Sequence, residues 1–353
     1  MTGHSDNSNA FLLADGSEEL SPTVMWTPPD AIHYVSATPV LTSSRYKLGE
    51  LICYGGMGVV YAARDLHLDR DVAVKVLRLQ PDRHPDAVRL YTREAKIISR
   101  LSHPGIVPIY DFGLCTDGRP YHVMKLVQGG TLSELISSAD GNVSHLLTVF
   151  ADVCQTMAFV HTQGIIHMDL KPSNVMVGAF GEVYVMDWGL ARFQKSVGQD
   201  RPGLTIRLSS DLADFIPDDG YASHVGVCGT PGYMSPEQAR GDAVDARADV
   251  FGLGAILCEI LVGHAPYVGH DARQVYLNAR RGSIDATMLG LEECDSDRAL
   301  VRLARRCLTT DRNDRPASAV EVSAAVSTYQ ETALQRVESD MNRFFELSLD
   351  LFC

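Results

Sequence analysis

The densest group of reactive side chains lies at His167-Met168-Asp169-Leu170-Lys171-Pro172-Ser173-Asn174, followed by Val185-Met186-Asp187-Trp188-Gly189. This short loop–strand–turn stretch holds two carboxylates, an amide oxygen and a lysine. Hard oxygen donors suit a magnesium ion, a carboxylate can orient an attacking hydroxyl, and an ammonium can offset charge on a phosphoryl group. The set points to phosphoryl transfer. Lys75 is embedded among Val72, Ala73, Val74 and Val76, where an unpaired ammonium is costly to bury. Glu94, on the next helical stretch, is a partner of opposite charge. Between two apolar runs, Tyr54-Gly55-Gly56-Met57-Gly58 makes a turn whose backbone amides can approach a polyanion closely. Alone, that turn is only a tight hairpin.

These groups are far apart in sequence and need a frame that brings them together. Apolar runs predict strands over 46–52, 59–64 and 72–77, and again over 106–114 and 121–126. Helical spacing over 86–101 puts Val88, Tyr91, Ala95 and Ile98 on one stripe. After Gly129-Gly130 the character turns helical. Thr131 reads as an N-cap with Glu134 three residues on, followed by a longer apolar helix over 146–162. Further helices are expected over 244–261, 272–281, 298–308 and 317–329. The outcome is an α+β, bilobal chain: a small β-rich lobe with one main helix, then a larger, mainly helical lobe.

Composition sets the outer limits. With 353 residues, 45% of them hydrophobic, the chain can bury a large core. No stretch approaches the roughly 20 uncharged apolar residues that cross a bilayer, the nearest being 250–263, so no membrane span is expected. The first ten residues carry no Lys or Arg and do not read as a secretory signal. Eight cysteines at irregular spacing, without a C-x-x-C pair, read as reduced thiols in a cytoplasmic protein rather than a disulfide framework or zinc site. A net charge of −13 disfavours nonspecific nucleic-acid binding.

From Tyr46 to Tyr329 the chain resembles the protein-kinase superfamily, and within it the bacterial Ser/Thr kinases of eukaryotic type. The resemblance rests on the glycine loop ending Gly58-Val59-Val60-Tyr61, on Val72-Ala73-Val74-Lys75, Glu94, His167-Met168-Asp169 with Asn174, and Asp187-Trp188-Gly189. Gly229-Thr230-Pro231-Gly232-Tyr233-Met234-Ser235-Pro236-Glu237 completes it, with Asp249 and Arg315 at later family positions. It implies a bilobal kinase fold with lobes over about 44–127 and 128–329. Residues 1–43, rich in Ser, Thr, Asn, Asp and Pro, read as a flexible arm or as an extended segment that docks on the domain, and 330–353 form a tail. Lys75 would hold the α- and β-phosphates of ATP and pair with Glu94. Asp169 would orient or accept the substrate hydroxyl, and Lys171 would neutralise the γ-phosphate. Asn174 and Asp187 would hold Mg2+, with Mn2+ as the alternative ion. Cys53, Gly55, Gly56 and Gly58 would cover the phosphates. Val60, Ala73 and Met176 would sandwich adenine, beside a Met124 gatekeeper and a hinge containing Lys125 and Val127. Ile98, Ile109, His167 and Trp188 would stack as a spine. Glu237 with Arg315, and Asp249 with the catalytic-loop backbone, would be structural. Partners implied are protein substrates, ATP and a second copy of the chain for autophosphorylation in trans. Ser/Thr preference rests on Lys171 and Thr230.

Four departures bear on activity. Cys53 replaces the first loop glycine, as an inert thiol or a redox-sensitive one over the nucleotide. Met168 replaces the arginine that pairs with a phosphate on the activation loop, so activation is expected not to depend strictly on loop phosphorylation. Trp188 replaces phenylalanine, and its ring can fill the same slot while its N–H finds a partner. The segment between Asp187 and Glu237 is longer than the family's usual one; its excess, 193–227, carries Thr205, Ser209, Ser210 and Ser223. It reads as a surface insertion with autophosphorylation sites, or as an autoinhibitory segment docked over the cleft.

Beyond the core, Leu334, Val337, Met341, Phe344, Phe345 and Leu347 recur at helical spacing. The last eleven residues are similar to the opening of some PAS sensor domains, which would make the chain part of a longer signalling protein. The alternative is a helix packing on the kinase or on a partner copy. An active kinase is the expected function. A pseudokinase scaffold finds support only in Cys53, Met168 and Trp188, and a small-molecule phosphotransferase lacks the substrate-loop motif present here.

Overall fold

In the computed structural model, residues 38–55, 57–138, 142–194 and 229–350 are described. The small lobe comprises β1 (Tyr46–Tyr54), β2 (Gly58–Asp65), β3 (Arg70–Leu77), α1 (Pro85–Ile98), β4 (Ile109–Leu114) and β5 (Pro120–Lys125). Its strands form one antiparallel sheet in the order β1-β2-β3-β5-β4. Val72, Val74 and Val76 are fully buried in the core of this lobe. Alternation turns Ala73 and Lys75 to the opposite face, so β3 both builds the core and carries the lysine. Pro85 stands in the first turn of α1, where its missing N–H costs nothing, and the helix buries Ala87, Tyr91, Glu94 and Ala95.

The large lobe runs through β6 (Gly129–Thr131), α2 (Leu132–Ser137), α3 (Val143–Thr162), β7 (Ile165–Ile166), β8 (Val175–Gly178), β9 (Val183–Val185) and β10 (Arg192–Phe193). After the stretch 195–228 come α4 (Pro236–Arg240), α5 (Ala246–Val262), α6 (Ala272–Arg281), α7 (Asp285–Glu293), α8 (Arg298–Cys307) and α9 (Ala319–Asp350). A sheet β6-β8-β9 and a pair β10-β7 lie at the cleft end. Helix α5 is apolar nearly all round and forms the lobe's axis, its start capped by the Asp245 carboxylate. Gly252 lets it approach the loop 167–174: a Cβ there would lie 2.9 Å from the Leu170 Cβ.

Several expectations shift. The strand expected over 106–114 begins only at Ile109, because Pro108 has no N–H to donate; Ile106 makes a lone bridge to Val185 instead. Helix α3 starts at Val143, where the Asn142 side chain accepts the Ser144 N–H. It is 20 residues long with mean hydropathy 1.4, so α3, not 250–263, is the described helix nearest to a membrane span; half of it is buried inside the lobe. Thr131 and Glu134 do form the reciprocal capping box of α2. The short helices α4 and α7 had no expectation. The helix expected to stop near 329 continues as α9 to Asp350, in one piece with the tail. At the other end, Leu41 pairs with Cys115 and Thr42 donates to the Leu114 carbonyl at 3.2 Å, so the last residues of the expected arm lie along the end of β4. Gly56, the insertion residues Thr205, Ser209, Ser210 and Ser223, and the first 37 residues lie outside the described ones.

Candidate active site

Lys75 and Glu94 meet at 2.6 Å between Nζ and Oε1, joining β3 to α1. Burial opposes the lysine's charge, but the carboxylates of Glu94 and Asp187 more than offset it and hold the ammonium above its ordinary pKa. Two further ties fix α1. The Tyr91 hydroxyl donates to the Lys75 carbonyl at 2.6 Å, and Arg93 donates to the Ala191 carbonyl at 2.7 Å. His122 stands opposite Lys75 in the β3–β5 register. Burial, then the lysine's charge, depress its pKa to about 3, so it is neutral.

Strand β7 feeds the loop 167–174. The Asp249 carboxylate on α5 accepts the backbone N–H of His167 at 2.7 Å and of Met168 at 2.8 Å. It also accepts a hydrogen bond from the His161 Nε2–H at 2.9 Å, since His161 Nδ1 accepts the Ala319 N–H. Asp169 accepts the Thr230 N–H at 2.9 Å and the Lys171 ammonium at 2.7 Å. The Asn174 amide nitrogen donates to the Asp169 carbonyl at 2.8 Å and to its carboxylate at 3.1 Å. Burial would raise the Asp169 pKa, yet Lys171 and the Thr230 contact outweigh it, and the group stays ionised. Lys171 also reaches the Thr230 hydroxyl, which ties the loop to the segment after 228.

Asp187 takes a left-handed backbone with φ 58°. Next to it, Trp188 is buried with its ring edge-on to His167 at 4.6 Å, and its indole N–H donates to the Val185 carbonyl at 3.1 Å. The wider ring is thus accommodated and its polar atom satisfied. Ile98 and Ile109, the other expected spine members, line the same cleft. A Cβ placed on Gly189 would lie 3.5 Å from Asp187 Oδ1 and 3.6 Å from Glu94 Oε2, so both carboxylates converge below Lys75.

The cleft encloses about 1020 Å3 and is lined by Cys53, Gly55, Val60, Lys75, Met124, Asp169, Asn174, Met176 and Asp187. Ala73 is buried in register with Met124, and Gly58 sits over the Lys75 stem. Val127 is half-buried past the end of β5. The Lys125 side chain is not among the lining groups: it reaches across to the Tyr184 hydroxyl and lies 3.9 Å from Glu182, bridging the lobes. Arg315 and Glu237 form a buried two-pronged pair at 2.6 and 2.9 Å. Tyr91, His122 and His161 were not singled out for roles in the site. Each works through a contact with no sequence period, and only the apolar-strand setting of His122 hinted at burial.

Residues 46–326 match the family profile described as Protein kinase domain. The chain belongs to the protein kinase family. Protein kinases use ATP with a divalent metal ion and act on proteins. This kinase is 42% identical over 253 residues to the serine/threonine-protein kinase PknB of Mycobacterium leprae, covering 70% of this chain and 37% of that protein. PknB of Mycolicibacterium smegmatis is 41% identical over 237 residues, covering 66% and 35%. The serine/threonine-protein kinase pkn3 of Myxococcus xanthus is 34% identical over 296 residues, covering 82% and 50%. The kinase thus spans little more than a third of the length of its PknB relatives.

Proposed function

We propose that this chain is an active serine/threonine kinase that moves the γ-phosphoryl of ATP to Ser and Thr hydroxyls of proteins, its own included. One observation carries the reading: Lys75 on Glu94, Trp188 on His167, and Lys171 with Thr230 on Asp169 occur together around one cleft. Names of the relatives and the Lys171–Thr230 contact support Ser/Thr over Tyr.

Lys75 would bind the α- and β-phosphates, with Glu94 orienting it and Cys53, Gly55, Gly56 and Gly58 above. Val60, Ala73 and Met176 would enclose adenine, Met124 would close the back, and the backbone near Lys125 and Val127 would meet its edge. The donor set suits a hard divalent ion: Asn174 commits its amide nitrogen to Asp169 and keeps an oxygen, and Asp187 adds a carboxylate. We assign Mg2+ there, with Mn2+ as the alternative; bound, it neutralises phosphate charge. Asp169 orients the attacking hydroxyl and takes its proton, while Lys171 offsets charge on the group in transfer. With Met168 in place of the arginine, turnover would not require a phosphorylated activation segment.

The catalytic unit would be 44–329, with lobes 44–127 and 128–329, and 330–353 would lead into the rest of a longer signalling protein. ATP as co-substrate and the free thiols of the described cysteines support a cytoplasmic setting. A second copy would serve as partner for phosphorylation in trans. The test is autophosphorylation with Mg2+ and ATP, comparing wild type, Asp169→Ala and Asp187→Ala by mass spectrometry. Phosphoserine or phosphothreonine in the wild type alone is expected. No phosphate on any of them, with Mg2+ and ATP still raising the melting temperature, would leave a scaffold.

A further inference from the structure

Met168 is the residue before the catalytic Asp169, and it sits at φ 75°, a region that side chains disfavour. Such a backbone persists only where its surroundings over-determine it. Two buried groups do so. The Met168 N–H donates to Asp249 Oδ1 at 2.8 Å, and the Met168 carbonyl accepts Gln238 Nε2 at 2.6 Å. The next N–H, that of Asp169, donates to His167 Nδ1 at 3.3 Å. The peptide plane between 168 and 169 is therefore held at both ends, at its oxygen by Gln238 and at its nitrogen by His167. That plane sets where the Asp169 carboxylate points.

Gln238 is itself fixed. It follows Glu237, which is locked to Arg315, and its own N–H donates to the Ser235 hydroxyl at 3.4 Å. Room for its amide depends on Gly229, whose φ is 128°: a Cβ there would lie 2.7 Å from Gln238 Nε2 and 3.4 Å from the Met168 carbonyl. Thr230, beside that glycine, donates to Asp169. The segment 229–238 thus grips two successive catalytic-loop residues, Met168 through Gln238 and Asp169 through Thr230.

We propose that Gln238 is a positioning residue for phosphoryl transfer, holding the Met168–Asp169 peptide with a neutral amide so that Asp169 faces the hydroxyl without help from a phosphate. The inference rests on the kinase reading. Its test uses the full 353-residue chain with ATP, Mg2+ and a generic protein substrate. Gln238→Leu removes the donor, and kcat is expected to fall about tenfold or more, while KM for ATP stays within about twofold because nucleotide contacts lie elsewhere. Gln238→Glu adds a readout that a packing role would not move. Its carboxylate cannot donate, but its protonated form can, and burial raises its pKa. The ratio of its kcat to the wild type's should climb as pH falls from about 8 to about 5.5. An active wild type with a Gln238→Leu kcat within about twofold would overturn the inference alone. If Gln238→Leu unfolds, the Gln238→Glu profile decides, and a flat or falling ratio overturns it. A wild type without turnover would overturn the kinase reading and this inference together.

Discussion

The two walls of the cleft are held by different means. The upper wall, from the small lobe, depends on contacts between elements that share little core. Lys75 meets Glu94, Tyr91 reaches a carbonyl of β3, and the first half of α1 packs in a small cluster with Leu77 and Leu79, while Ile97 at its end joins the largest core and Arg93 donates to the Ala191 carbonyl. Strand β1, at the mouth of the cleft, leaves Leu51, Ile52 and Tyr54 exposed. The lower wall is bound into the largest core. Its loop amides end on Asp249, which leans on His161, which in turn accepts from the first turn of α9. Here geometry is shared among many buried partners. The upper wall therefore rests on fewer buried partners than the lower wall.

That contrast is open to attack in order of effect. Asp249→Ala leaves two loop amides and the His161 N–H without an acceptor, and should cost about 4 kcal/mol of unfolding free energy in urea. A loss under about 1 kcal/mol would remove the distinction between the walls. Glu94→Gln keeps an acceptor for Lys75 but removes the charge. We expect activity to fall about a hundredfold and unfolding free energy to drop by about 2 kcal/mol, less than for Asp249→Ala, because the amide still accepts from Lys75 and Asp187 still faces the buried ammonium.

His122 sharpens the upper wall through pH. Its folded pKa of about 3 lies below the ordinary 6.5, so the unfolded chain binds the extra proton between those values. Its contribution is therefore complete above 6.5 and is lost as pH falls towards 3, by about 1.4 kcal/mol per unit. His122→Phe should flatten the fall of melting temperature between pH 6.5 and about 5. An unchanged slope would mean that the imidazole is hydrated. The smallest effect belongs to Tyr91→Phe: loss of one neutral hydrogen bond, about 1 kcal/mol, read as a several-fold drop in kcat.

Much of this was legible in the residues. Lys75 inside an apolar run demanded a buried partner, and the capping box at Thr131 is written locally. Trp188 offered an N–H that needed an acceptor and found the Val185 carbonyl. What stayed hidden is nonlocal. His161 meets Asp249 across 88 positions and Gln238 meets Met168 across 70, and neither pairing leaves a period in the sequence. The end of the helix near 329 was set by a domain boundary rather than by a breaker. No Gly or Pro stands between Ala319 and Asp350, and the helix runs on. Pro108, by contrast, did carry the signal that shortens β4, and the apolar run around it masked that signal.

The most direct test of the account is the initial rate of substrate phosphorylation before and after exhaustive phosphatase treatment of the wild-type chain. A cleft assembled through Asp249, Gln238 and the Lys75–Glu94 pair should keep its rate within about twofold, because none of these contacts contains a phosphate. A collapse of the rate, restored by incubation with ATP, would contradict it and place control of Asp169 in a phosphorylated segment.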